Sequence, residues 1–243
     1  MNMKNTARIA LEMLESSALC ALLVVFVGLM LSIPCFGQTG IMNLPQGKTA
    51  VGLGYQWYNP SEKSEYNTGA QNMRGSFDWQ FNRFLKMSFI PGVAFLDTTN
   101  RETDSIPPSP SFELRLTTTG PLNTARTLDY FMRGDAQVRY SQIHNESLVL
   151  HHANTTLTGG IGFLYKLETV TEWQFNPFFG VFYSNVWRNI STTQQILTDD
   201  TYNLITGEAG VEIEVSPTTH IIGSAVFSFE TSEIIYNIGI NFR

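Results

Sequence analysis

At 243 residues the chain has room for one large or two small domains, and single β-barrels commonly reach that size. Charged residues make up 15%, against about 25% in an average soluble domain, whereas 12% are aromatic and 43% hydrophobic. That balance excludes a disordered chain, and a formal net charge of −6 excludes a basic nucleic-acid-binding protein.

Lys4 and Arg8 open a basic stretch, Leu19 to Ile33 is an almost unbroken apolar run, and Pro34 ends it. We therefore expect a signal peptide over residues 1–37, cleaved after Gly37, and a mature domain over 38–243. An uncleaved anchor helix is the alternative, but the run falls short of the ~20 residues a spanning helix needs. Lipidation of Cys35 is a second alternative, disfavoured by Pro34. Both cysteines, Cys20 and Cys35, fall in this segment, so the mature domain offers no disulfide, no thiolate metal site and no Cys nucleophile. No later apolar run reaches the length of a membrane helix, so any crossing is made by strands.

Gly40–Gly47, with a proline and two glycines, leads into a chain that alternates with period two. Successive strand side chains point to opposite faces, so each run divides into two sides. Strand one, about Thr49–Tyr58, sets Val51, Leu53, Tyr55 and Trp57 against Ala50, Gly52, Gly54 and Gln56. A polar loop over 59–70 leads to strand two, Met73–Asn82, where Met73, Phe77, Trp79 and Phe81 oppose Arg74, Ser76, Asp78 and Gln80. After a short turn, strand three places Leu85, Met87, Phe89, Val93 and Phe95 opposite Lys86. Pro91 has no N–H for a ladder, so a bulge or local break is expected there.

A second polar loop, over 98–110, precedes strand four, which alternates Phe112, Leu114 and Leu116 with Glu113, Arg115 and Thr117. Gly120-Pro121 signals a turn. Strand five sets Leu128, Tyr130, Met132, Ala136, Val138 and Tyr140 against Asp129, Arg133, Asp135, Gln137 and Arg139. A third loop is expected over 141–153. Strand six opposes Leu157, Ile161, Phe163 and Tyr165 to Thr158, Gly160, Gly162 and Lys166. Strand seven carries Trp173, Phe175, Phe179, Val181 and Tyr183, with Phe178 and Phe182 interrupting its polar side. A fourth loop is expected over 188–202. Strand eight alternates Ile205, Ala209, Val211 and Ile213 with Thr206, Glu208, Glu212 and Glu214, and Ser216-Pro217 turns it. Strand nine sets Ile221, Ala225 and Phe227 against His220 and Ser224, and Ile234, Tyr236, Ile238, Ile240 and Phe242 close the chain.

A soluble sandwich also has one apolar and one polar face, so alternation alone does not choose the architecture. Connection lengths do more: through the first nine strands they run long, short, long, short, as in membrane barrels with long outer loops and short inner turns. Aromatics also sort to the strand ends. Tyr55, Trp57, Tyr140, Tyr183, Trp187, Phe229 and Tyr236 gather at one end, and Trp79, Phe81, Phe84, Tyr130, Tyr165, Trp173 and Phe242 at the other, as two interfacial girdles would. We therefore expect an all-β fold, an up-and-down antiparallel transmembrane β-barrel of about 10 strands. A soluble ligand-binding barrel, with its apolar face inside, is the alternative.

Tyr236-x-Ile238-x-Ile240-x-Phe242, with Gly239 within it, resembles the C-terminal strand signal of bacterial outer-membrane β-barrel proteins, although Arg243 follows the terminal aromatic. The resemblance implies insertion in the bacterial outer membrane through the barrel-assembly machinery, with outer-membrane lipid as the surrounding partner. Thr39–Pro45 also resembles the opening of some barrels associated with exopolysaccharide export.

The polar sides would line the lumen with Arg74, Asp78, Glu113, Arg115, Asp129, Arg133, Asp135, Arg139, Lys166, Glu208, Glu212 and Glu214, joined by Lys86. Buried charge is costly unless paired, so these residues read either as a plug of ion pairs or as the lining of a narrow polar pore passing a small solute. Gly52, Gly54, Gly160 and Gly162 leave room for a passage or a ligand. His220 lies across a tight turn from Glu214, a pair suited to acid–base or metal chemistry but lacking further converging ligands. His144, His151 and His152 in the third loop, with Asp199 and Asp200 in the fourth, suit an outer-rim hydrolase acting on lipid A or protein. No nucleophile motif or phosphate loop accompanies them. We expect a non-enzymatic barrel, either a narrow pore or a structural and surface-interaction protein, with no catalytic residue, no metal and no cofactor.

Overall fold

A computed structural model describes residues 41, 44–59, 68–98, 108–145, 148–167, 173–192, 196–230 and 234–243. The expected signal peptide, residues 1–37, lies outside them. Ten strands follow in order: β1 (Thr49–Asn59), β2 (Thr68–Gln80), β3 (Leu85–Thr98), β4 (Ser109–Pro121), β5 (Leu128–Asn145), β6 (Leu148–Tyr165), β7 (Gln174–Ser191), β8 (Ile196–Ser216), β9 (Thr219–Ser228) and β10 (Ile234–Phe242). All pair antiparallel with their sequence neighbours, and β1 closes the barrel on β10 from Val51↔Phe242 to Asn59↔Ile234.

The alternation dictates what each face meets, and burial is inverted relative to a soluble protein. Among the described residues, 22 polar or charged residues are buried against 11 apolar ones. Leu114, Leu116, Ile161, Phe163, Phe179 and Ile238 meanwhile stand exposed on the outer wall. Water does not tolerate a continuous apolar belt of this extent, but hydrocarbon does. This overturns the soluble-barrel alternative, whose apolar side would face inward. The aromatic girdles hold: Trp79, Phe81 and Phe84 are exposed at the rim bearing the start of β1, and Trp57 packs on Tyr236 at 5.8 Å at the opposite rim.

The turns at the first rim are fixed by side-chain acceptors. Asn82 Oδ1 accepts the N–H groups of Phe84 and Leu85 at 2.9 and 3.0 Å. The β4–β5 turn is displaced from the expected Gly120-Pro121, because β4 runs on to pair Pro121 with Asp129. The reversal lies at Leu122–Thr127, where Asn123 Oδ1 accepts from Thr127 and Leu128 at 3.0 and 3.2 Å and Arg126 takes a φ of 56°. Pro91 makes no bulge. The β2–β3 register is the same on both sides of it, but the ladder is missing opposite Gly75 and Ser76, so the local break is present without a slip.

The expected third and fourth loops are corrected most. The β5–β6 ladder continues to Asn145↔Leu148 and the β7–β8 ladder to Ser191↔Ile196. These hairpins therefore remain sheet almost to their tips. β5, β6 and β7 have 18 residues each and β8 has 21, whereas β10 has 9 and β9 has 10. A tilted strand crosses the bilayer in about 9–11 residues, leaving roughly seven to twelve surplus residues per strand at ~3.3 Å each. β4 stops pairing with β5 at Arg139 and β9 stops pairing with β8 at Thr206, so the surplus of β5–β8 rises as a separate four-stranded sheet.

Candidate functional site: the barrel interior

The interior is built by the inward parity of each strand, and six of its charges form one connected chain. Arg74 on β2 reaches over β3 to pair with Glu113 Oε2 on β4. Glu113 Oε1 takes Arg115 Nη2 at 2.6 Å, and Arg115 Nε meets Asp135 Oδ1 on β5 at 2.8 Å. Asp135 Oδ2 lies 3.0 Å from Arg133 Nε, and Arg133 Nη1 crosses the lumen to Glu208 Oε2 on β8 at 2.7 Å. Neutral groups carry the chain onward. Ser224 donates to Glu208 Oε1 at 2.8 Å, Asn237 donates to Ser224 Oγ at 3.1 Å, and Gln56 donates to Asn237 Oδ1 at 3.1 Å. The Gln56 and Asn72 amides then meet at 3.4 Å, returning the network to β2. Glu113 and Asp135 each use both oxygens on different guanidiniums, the arrangement that lets charge stay buried.

The wall of β6–β8 fills its share of the lumen differently. Phe178 and Phe182 of β7 turn inward and meet Phe131 of β5, whose ring lies 6.3 Å from each of theirs. The arrangement depends on glycine: a Cβ at Gly160 would strike the Phe182 ring and the Val181 carbonyl, and one at Gly162 the Phe131 ring and the Phe179 carbonyl. The space expected at Gly160 and Gly162 is thus taken by aromatic rings and is not a passage. Arg133 joins the two halves, its guanidinium 4.0 Å above Phe182.

The leading segment enters the barrel from the first rim. Ile41 and Leu44 are buried, and Ile41 joins the cluster of Phe131, Leu164, Phe178, Phe182 and Ile222. The Ile41 N–H donates to Glu212 Oε2 at 2.9 Å, and the Leu44 N–H donates to Gln80 Oε1 at 3.0 Å. Gly47, at a φ of 74°, donates to the Gln80 carbonyl at 2.9 Å as the chain turns into β1. The interior thus has three fillings: ion pairs, rings and this strap. An inner cavity between Gly54, Gln56, Arg74 and Asn237 measures about 10 Å³, room for one water.

A barrel with a polar, filled interior and an apolar exterior identifies its own architecture. The fold is that of a bacterial outer-membrane β-barrel. Neither a protein-family model nor a curated protein sequence matches the chain. Among solved structures it is similar to the translocator domain of the autotransporter NalP from Neisseria meningitidis, at a TM-score of 0.52 and 9% identity over 82% of this chain and 90% of that one. An outer membrane channel from Pseudomonas putida F1 also matches, at a TM-score of 0.47 and 10% identity over 84% of this chain and 98% of that one. So does the outer membrane protease OmpT from Escherichia coli, at 0.41 and 9% over 84% and 99%.

In this barrel the remaining sequence-predicted residues take separate places. Lys166 pairs with Asp129 at 2.7 Å near the first rim. Asp78 and Lys86 are buried facing the lumen, and Arg139 is half-buried opposite Ser111. His220 meets Glu212 through Nδ1 at 3.2 Å, while Glu214, the partner expected from the turn, stands 3.9 Å from Nε2. Among the described residues no group of three metal-ligating side chains converges. Arg243 caps this rim, donating its N–H to the Thr218 carbonyl at 2.9 Å. Burial holds its guanidinium below the usual arginine value, with Glu212 and Glu214 pulling the other way.

Of the rim residues, the described His151 and Asp199 are not brought together. His144, His151 and His152 lie on β5 and β6, and Asp199 and Asp200 lie on β8. His151 Nδ1 is 2.5 Å from the Tyr140 hydroxyl, and Asp200 is held by Arg188 at 2.6 and 3.0 Å. No hydrogen bond or ion pair among the described residues joins His151 to Asp199. Missed in the sequence were Gln56, Asn72, Ser224 and Asn237, which complete the network, and Ile41 and Leu44, which plug it. The signal for the last two was their apolar character within an otherwise loop-like stretch.

Proposed function

We propose that the chain is a non-enzymatic outer-membrane barrel with a closed lumen, which anchors a raised β-sheet for contacts at the cell surface. The observation that carries this reading is the surplus of β5–β8, which outruns the length needed to cross the bilayer on the rim opposite the start of β1 and the end of β10. The ion-pair chain, the aromatic rings and the strap serve as a rigid footing, because each ties together strands that are not neighbours in the wall. On this reading β10 is the segment recognised by the barrel-assembly machinery, outer-membrane lipid covers the apolar belt, and the strap faces the periplasm. The narrow-pore reading loses support from the interior fillings. The hydrolase reading loses support from the separation of His151 and Asp199 on β6 and β8.

Two measurements test this. The purified full chain in planar bilayers is expected to stay silent across many insertions; discrete steps whose selectivity changes with Arg133→Gln would establish the pore instead. A cysteine introduced at Asp199, exposed near the top of β8, is expected to react with a membrane-impermeant maleimide on intact cells. Protection until the cells are lysed would reverse the orientation and remove the surface role.

A further inference from the structure

The apolar belt does not have one height around the barrel. On β1 and β10 it runs from the Val51↔Phe242 pair to Trp57↔Tyr236, six rungs along the ladder. On the far side of the ring, β5 and β6 carry it from Leu128↔Tyr165 to Tyr140↔Ala153, twelve rungs. Between these ends every outward residue of β1 and β5 is apolar or glycine and at least partly exposed. The change is graded. On β2, next to the short pair, the outward run is Met73 to Phe81, and an exposed Gln71 ends it.

A strand residue rises ~3.3 Å, which is about 2.5 Å along the membrane normal at a tilt of roughly 40°. The belt is then about 15 Å tall at β1–β10 and about 30 Å at β5–β6, where a membrane barrel ordinarily has about 25 Å. The upper border of the short face is Trp57 packed on Tyr236, both exposed. Their ring N–H and hydroxyl belong at the headgroup level, so that level must come down to them. Tilting the barrel does not remove the mismatch. It moves the short face up or down but leaves the distance between its own two borders unchanged. The lipid beside it has to supply the difference.

We infer that the face from β10 through β1 to β2 is a lipid-selective surface, where the bilayer thins and phospholipids with short acyl chains are held in preference to long ones. A short chain covers the low belt at its relaxed length. A long chain there must splay, or leave the Trp57 and Tyr236 polar atoms in hydrocarbon. The tall face at β5–β6 imposes no such choice. The surface is independent of the raised sheet, so its failure leaves the surface-contact reading standing.

Residues 38–243 contain no cysteine, so single reporters can be placed on each face. The full mature barrel carries bimane at Ile238→Cys or at Met132→Cys, both exposed in mid-belt, the first on the short face and the second on the tall one. Each is reconstituted with a long-chain doxyl-labelled phosphatidylcholine, which quenches bimane on contact and is then diluted with dimyristoleoyl- or dioleoyl-phosphatidylcholine. At Ile238→Cys the dimyristoleoyl lipid is expected to relieve quenching about fivefold more effectively, as a shortfall of roughly 10 Å implies. At Met132→Cys the two diluents should act alike. Equal discrimination at the two positions would overturn the surface, as would a preference for dioleoyl lipid at Ile238→Cys. Thr49→Leu with Gln71→Leu lengthens the belt on β1 and β2 and should cut the preference to about twofold. A preference unchanged by that pair, in a barrel of normal heat-modifiable mobility, would show that belt height does not select the lipid.

Discussion

The two walls of the lumen fill the same kind of space by different means. From β2 to β5 the inward positions hold Arg74, Glu113, Arg115, Arg133 and Asp135, and space is filled by long side chains whose charges cancel. From β6 to β8 they hold Gly160, Gly162, Gly180 and Gly210 beneath Phe131 of β5 and Phe178 and Phe182 of β7, with Glu208 and Glu212 beside them on β8, and most of the space is filled by rings lying close to bare backbone. The difference separates two kinds of fragility. The charged wall depends on every partner being present, whereas the aromatic wall depends on certain side chains being absent.

The sharpest way to break this contrast is at Arg133, which belongs to both walls. Its loss strips Glu208 of its cation, leaving the Ser224 hydroxyl as its partner among the described residues, while Asp135 keeps Arg115. Arg133→Met is expected to destabilise the barrel by about 3–5 kcal/mol, the usual cost of stranding a buried charge. Urea titration of the barrel refolded into lipid vesicles measures it. Adding Glu208→Leu should recover most of the loss, since removing both partners of a buried pair is often close to neutral. If the double variant is as unstable as the single, Arg133 matters through its stacking on Phe182 and not through charge.

Next in size is the aromatic wall. Gly162→Ala places a methyl group against the Phe131 ring and the Phe179 carbonyl; the ring can turn aside, but the carbonyl is held in the β6–β7 ladder. Overpacking of this kind costs about 1–3 kcal/mol, read from the same titration. Phe131→Leu in the Gly162→Ala background should recover only part of it. A neutral Gly162→Ala would mean that this wall is looser than the charged one, and the contrast between them would fall.

The fold was legible because alternation persists through all ten strands, and because an inverted barrel displays its apolar side as openly as its polar side. Two features were hidden for physical reasons. The upper parts of β5–β8 were read as loops because polar residues there fall on both parities of the strand: with His151 and His152, and Asp199 and Asp200, at successive strand positions, polarity no longer reports the strand period. The pairing of the lumen was hidden because it depends on how the closed wall brings distant strands face to face. Arg133 and Glu208 are 75 residues apart and touch only across the closed barrel. The inward set was predictable from parity, but the partners were not. Phe178 and Phe182, interrupting the polar side of strand seven, marked the apolar sector in advance, whereas Phe131, on the polar parity of strand five, was passed over.

The smallest expected effect sharpens the comparison between the embedded barrel and the sheet above it. Arg188 and Asp200 form a two-pronged pair at 2.6 and 3.0 Å, at least as close as Arg133 and Glu208 at 2.7 Å. Distance alone would predict equal consequences. The media differ, however: the Arg188 and Asp200 side chains are 36% and 40% exposed, against 11% and 3% for the pair in the lumen. Water screens the upper pair and rehydrates whichever partner is left, so Arg188→Ala is expected to cost no more than ~1 kcal/mol. Any loss should shrink further in high salt, where the lumen pair should be largely insensitive. Titrating Arg188→Ala and Arg133→Met at low and high ionic strength puts both on one scale. A loss at Arg188 comparable to that at Arg133 would mean that the raised sheet is stabilised as part of the barrel and is not a separate layer standing on it.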